Sequence, residues 1–127
     1  ADNAAPDSMK AAWQSLAVIG RSGHRTVAVL GAMAELGEIS DQEHHAIGLL
    51  VVRYNIDKLF VVGQDAKVLH LAATAEGSWD GESEFFGSVS EAFSPIRASL
   101  EPNDVVLVKS SNAAGLRFLG DQLAGVK

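Results

Sequence analysis

Three short apolar runs, "RTVAVL", "KLFVV" and "DVVLVK", restrict the folds open to this chain more than any other feature. Each is continuous and rich in β-branched residues rather than alternating with polar ones. Strands of that kind are buried on both faces, as in parallel sheets covered by helices on each side. Parallel neighbours need a crossover of a dozen or more residues, usually a helix. Helical segments lie between the runs here, so the pattern predicts an α/β fold: a three-layer, Rossmann-like domain with a mainly parallel sheet flanked by helices.

The helical segments carry their own start and stop signals. "APDSMKAAWQSLAVIG" repeats Met9, Ala12, Trp13, Leu16 and Ile19 at helical spacing, with Pro6 in the first turn and Gly20 at the end. Ser40 and Glu43 form an S-x-x-E capping box for a helix running to about Tyr54. Its inner side is expected to carry His44, Ile47, Leu50, Val51 and Tyr54. "DAKVLHLAATA" is a further helix and "EFF" a short third strand after the loop "GSWDGES". "SVSEAFSPIRASL" is helical with Pro95 inside it, which predicts either a kink or a fresh start with Ser94 as cap. "SSN" caps a last helix, "AAGLRFLGDQLAG".

At 127 residues the chain is expected to be one domain, residues 1–127. It opens at Ala1, without methionine and in what reads as a loop, as a domain excised from a longer protein would. With no cysteine, disulfides, thiolate metal sites and cysteine nucleophiles are excluded. Sixteen acids against ten scattered bases give a net charge of −6 and no basic stripe, which argues against nucleic acid as a partner. The longest apolar run, "IGLLVV", is too short to span a bilayer. No signal peptide and no membrane insertion are expected, and the location expected is cytoplasmic.

Ligands in such sheets bind beyond the carboxyl ends of the strands, near the point where strand order reverses. The loops after "RTVAVL" and "DVVLVK" are therefore the candidates. The first, "GAMAELGEI", lacks the G-x-G-x-x-G of a dinucleotide site, and the chain has no Gly-Lys pair for a P-loop. A dehydrogenase is disfavoured on the same ground. Glu35 and Glu38 in that loop suit a general base or a magnesium ligand, or equally two solvated acids favouring the next helix N-terminus. The adjacent His44 and His45 point about 100° apart on a helix and lack metal-ligand spacing, so no metal site is assigned. "VLVKSSNAAG" delivers Lys109 to a strand end, followed by Ser110, Ser111 and Asn112 at a helix start. That arrangement suits an anion site, or an ordinary N-cap beside a surface lysine.

"NAAPDSM", "VAVLGAMAELGE", "VVG" and "DVVLVKSSNAAGL", in this order, resemble the carboxy-terminal domain of the Mur ligases. The likeness is greatest to the actinobacterial form of the branch that adds D-alanyl-D-alanine. It covers nearly the whole chain. It implies that a separate central domain carries the P-loop, and that this domain closes over it. The implied reaction joins D-Ala-D-Ala to UDP-N-acetylmuramoyl-tripeptide through an acyl phosphate in peptidoglycan synthesis, with ATP and Mg2+ used by the full-length enzyme. The resemblance puts Asn3 at a hinge near the nucleotide, and Glu35 and Glu38 on a lid. It puts Lys109, Ser110, Ser111 and Asn112 against the dipeptide carboxylate or the acyl-phosphate oxygens. The chain departs from the family's usual linker at Asp2 and Ala5, and has Ala32 where an acid is common. The rival expectation is a non-catalytic small-ligand or regulatory module of the same fold.

Overall fold

The computed structural model describes residues 6–31 and 40–109. In chain order these form α1 (Pro6–Arg21), β1 (Thr26–Leu30), α2 (Ser40–Arg53), β2 (Lys58–Val62), α3 (Lys67–Thr74), β3 (Glu82–Phe86), α4 (Val89–Ser99) and β4 (Val105–Lys109). A 3-10 turn, Gln64–Ala66, leads into α3. The strands make one four-stranded sheet in the order β3-β2-β1-β4. Every pairing is parallel. The expected α/β architecture is the one observed.

Successive side chains of a strand point to opposite faces, and here both faces are covered. Ala28, Leu30, Leu59 and Val61 pack with Trp13 and Leu16 of α1, Ile47 and Val51 of α2, and Leu69 and Ala73 of α3. On the other face, Val27, Val29, Phe60 and Val62 pack with Ala92 and Ile96 of α4. All five residues of β1 and of β2 are buried, which is why these runs are apolar without alternation. The edge strand β3 is only partly buried and alternates Glu82, Ser83, Glu84 before its two phenylalanines. It starts at Glu82, two residues before the "EFF" expected, because Glu82 and Glu84 both bond the Lys58 ammonium of β2, at 3.1 and 2.7 Å. Burial lowers the Lys58 pKa, and these hydrogen bonds outweigh it, so the group stands above its ordinary value.

The inner side of α2 is as read from its periodicity: His44, Ile47 and Val51 are fully buried. His44, a polar residue on that inner side, reaches 0% exposure. The side chains of Met9, Ala12, Ile19 and Ser40 lie outside the described residues, and with Ser40 goes the expected capping box. So does the expected last helix.

Of the two outcomes expected at Pro95, the fresh start is overturned. No fresh start occurs at Ser94; α4 is assigned without a break from Val89 to Ser99, with Pro95 inside it. Its start is set instead by Ser88, whose hydroxyl accepts from the Glu91 amide at 3.2 Å. The proline is tolerated because it and Glu91 both lie on the exposed side of the helix. An interior proline still costs a helix about 3 kcal/mol relative to alanine. Its stiffening of the unfolded chain returns about 0.4–1 kcal/mol. Pro95→Ala is thus expected to stabilise the domain by about 2–2.6 kcal/mol and raise its melting temperature by several degrees, measured by circular dichroism. An unchanged or lower melting temperature would mean that the proline fits the helix without cost.

The amino ends of the strands are tied by polar contacts. Asp57 Oδ2 accepts from the Thr26 amide at 2.8 Å and from the Thr26 hydroxyl at 3.0 Å. Arg25 donates to both carboxylate oxygens of Asp104, at 3.1 and 2.7 Å, which raises the guanidinium pKa. A third bond from Arg25 reaches the Ser99 carbonyl at 2.7 Å, fixing the passage from α4 into β4.

Candidate functional site

The strand order places the reversal at β1, which has β2 on one side and β4 on the other. The crevice at that reversal lies beyond the carboxyl ends of β1 and β4. In register, Leu30 stands opposite Lys109. The Gly31 amide, the first residue of the loop after β1, donates to the Lys109 carbonyl at 3.0 Å. The two loops singled out from the sequence therefore leave the sheet side by side. This bond was not legible in the sequence, where Gly31 reads only as a strand stop; the register that creates it depends on which strands pair.

Lys109 ends β4 in a half-buried position. A half-buried lysine keeps its apolar stem against the sheet and its ammonium toward water. Asn3, Glu35, Glu38, Ser110, Ser111 and Asn112 lie outside the described residues. Of the predicted site residues, Lys109 alone is thus placed, and it stands at the strand-order reversal.

Other groups at the carboxyl end do not offer a phosphate cradle. The α4 N-terminus is closed by its own residues: Ser88 caps it, and the Ser88 hydroxyl also bonds Glu91 Oε1 at 3.1 Å. Asp65 stands in the 3-10 turn before α3. The Gly63 amide is already bonded to the Phe86 carbonyl, at 2.8 Å. Acids at helix N-termini stabilise the dipole and compete with a bound anion. Nor do the described residues contain a group of three or more His, Asp or Glu side chains able to hold a metal ion. What the described part of the crevice presents is one cation, Lys109, at the end of β4 beside the start of the loop after β1, which suits an anion.

The histidines stand elsewhere. His70 faces the edge strand β3, its Nδ1 2.6 Å from the Ser83 hydroxyl and its ring against Phe85, and burial together with Lys67 lowers its pKa. His24 meets the Asn103 carbonyl at 3.0 Å at the amino end of the sheet. Among the described residues no helix is long and apolar enough to cross a membrane.

Comparison with known proteins agrees with this geometry. The family described as "Mur ligase, glutamate ligase domain" matches residues 2–112. The UDP-N-acetylmuramoyl-tripeptide–D-alanyl-D-alanine ligase of Mycobacterium leprae is 43% identical over 97% of this chain and 26% of its own length. The ligase of the same name from Synechocystis is 32% identical over 92% of this chain and 25% of its own. Among solved structures, MurF from Acinetobacter baumannii superposes with a TM-score of 0.75 at 28% identity, over 97% of this chain and 26% of that one. MurF ligase from Thermotoga maritima, solved with ADP, gives 0.67 at 22% identity over 98% of this chain and 28% of that one, a likeness of fold. The chain thus spans about a quarter of the length of the curated relatives it matches. A match over residues 2–112, on a parallel sheet whose two candidate loops meet at its strand-order reversal, places this chain in the Mur ligase, glutamate ligase domain family.

Proposed function

We propose that this chain is the closing domain of an ATP-dependent ligase that joins D-Ala-D-Ala to UDP-N-acetylmuramoyl-tripeptide in peptidoglycan synthesis. The observation that carries the proposal is the pairing of the β1 and β4 ends, with Lys109 beside the Gly31 bond. In this reading the loop with Glu35 and Glu38 is a lid. Asn3 lies at the hinge, and Lys109, Ser110, Ser111 and Asn112 hold the dipeptide carboxylate. The ligases named for the relatives act on the same two substrates.

In this reading the nucleotide phosphates sit on the P-loop of a separate central domain, as the family resemblance implies. ATP supplies the activation of the tripeptide carboxyl group as an acyl phosphate. This domain's work is to orient the incoming dipeptide and, on closing, to exclude water from that reactive group. A nucleotide-linked substrate and ATP set the reaction in the cytoplasm.

A direct test compares the chain alone with the longer protein that contains it. The chain by itself should unfold cooperatively, yet release no phosphate from ATP with UDP-N-acetylmuramoyl-tripeptide and D-Ala-D-Ala present. The longer protein should release phosphate only when both substrates are supplied, and removal of residues 1–127 should abolish this. Ligation that survives the removal would favour the rival assignment, a non-catalytic ligand-binding or regulatory module.

A further inference from the structure

We propose that the cleft between the carboxyl ends of α1 and α2 is a second ligand site, for a compact oxyanion that also carries a hydrogen-bond donor. It lies at the amino end of β1, across the sheet from Lys109, and does not rest on the function proposed above. The cleft holds about 360 Å³ and is lined by Ala17, Arg21, Thr26, Arg53, Tyr54 and Asp57, among others.

Arg21 and Arg53 are the last residues of their helices. Basic residues there commonly serve the helix itself, by bonding the last carbonyls. Here backbone groups have taken that role. The Ile56 amide donates to the Val51 carbonyl at 3.1 Å, and the Asn55 amide to the Val52 carbonyl at 3.0 Å. Asn55 adopts φ 57° to make this closure. On α1 the Gly23 amide donates to the Gly20 carbonyl at 3.0 Å, with φ 104° at Gly23. Neither arginine has an ion-pair partner among the described residues, and both line one cleft.

The rest of the lining complements an anion rather than neutralising the arginines. Asp57 commits Oδ2 to Thr26, at 2.8 and 3.0 Å, which leaves Oδ1 as an acceptor for a donor on the ligand. The Tyr54 hydroxyl accepts from Gln14 at 3.4 Å and keeps its own proton to donate. A cleft lined by two arginines, a phenol and a carboxylate oxygen suits a hydrogen phosphate or a hydroxy or amino acid. Exposed charges are screened by salt, so binding weakens as ionic strength rises.

The test is an amide chemical-shift titration of the chain at low salt, with inorganic phosphate in one arm and lactate in the other. The expected result is saturable shifts confined to residues 17–26 and 53–57, with a dissociation constant on the order of 1 mM. Arg21→Gln and Arg53→Gln should each weaken binding about tenfold or more, and their spectra away from the cleft should match the parent. Saturation by phosphate alone assigns a phosphoryl ligand, and saturation by lactate alone a carboxylate. No saturable shift in either arm, shifts that persist in both variants, or shifts at Gly31 and Lys109 instead would overturn the proposal.

Discussion

Replacing Gly48 by leucine is expected to cost the domain at least about 3 kcal/mol, and alanine alone about 1–2 kcal/mol. Gly48 lies inside α2, where a Cβ would stand 2.6 Å from the Leu69 carbonyl oxygen and 2.9 Å from Ala72 Cβ, both on α3. The nearer atom belongs to the backbone of a packed helix and has no rotamer to change. The two helices must therefore move apart, opening contacts among Ile47, Val51, Leu69 and Ala73. Helix propensity pulls the other way, since alanine gains about 1 kcal/mol over glycine in a helix interior. The sign thus reports which effect wins: a loss means close helix approach, a gain means propensity. Urea unfolding of the chain should show a lower midpoint with an unchanged slope. Gly77→Ala is the control, because nothing stands within 4 Å of its added carbon; it should change stability by no more than about 0.5 kcal/mol.

That close approach illustrates what the sequence could and could not tell. The strands were legible because burial on both faces leaves one kind of residue: β2 is Lys58–Val62 in the structure, the run "KLFVV" itself. The α2 core was legible because a 3.6-residue period marks one face, and His44, Ile47 and Val51 are indeed buried. Gly48, one position beyond Ile47, reads as a mild helix defect until α3 is seen against it. The start of β3 was missed because Glu82 and Ser83 have a loop-like composition, and their pairing depends on Lys58 in another strand. The fresh start at Ser94 failed for a related reason. The local penalty of Pro95 is real, but cap geometry at Ser88 and an outward-facing position decided where α4 begins.

The candidate site was legible to a different degree. A strand ending in Lys109 and a strand ending before Gly31 could be nominated from α/β architecture alone. That the two ends are neighbours is a property of strand order, β3-β2-β1-β4, which periodicity does not encode. The cleft holding Arg21, Arg53 and Asp57 had no local signal at all. Its residues come from two helix ends and the start of a strand, and only folding brings them to one place.

Lys109→Ala and Ser111→Ala, made in the longer protein, are expected to raise the apparent KM for D-Ala-D-Ala far more than that for ATP. Lys109 ends β4 beside the loop after β1, so its ammonium stands at the strand-order reversal where an anionic ligand is expected. Two anions compete for it in the proposed reaction, the dipeptide carboxylate and the nucleotide phosphates. Among the described residues at this end, the α4 N-terminus is already capped by Ser88, and Asp65 stands in the turn before α3, so neither adds a ready partner for the nucleotide phosphates. A single carboxylate needs less: one cation and a few short donors such as Ser110, Ser111 and Asn112. Loss of one charge-assisted bond of ~1.5–3 kcal/mol weakens binding about 10- to 150-fold. Lys109→Arg should restore part of the loss, since it returns the charge in a different donor geometry. Initial rates measured against each substrate in turn separate the possibilities. A rise in KM for ATP with the dipeptide value unchanged would assign the loop to the nucleotide, and the carboxylate role of these four residues would fall.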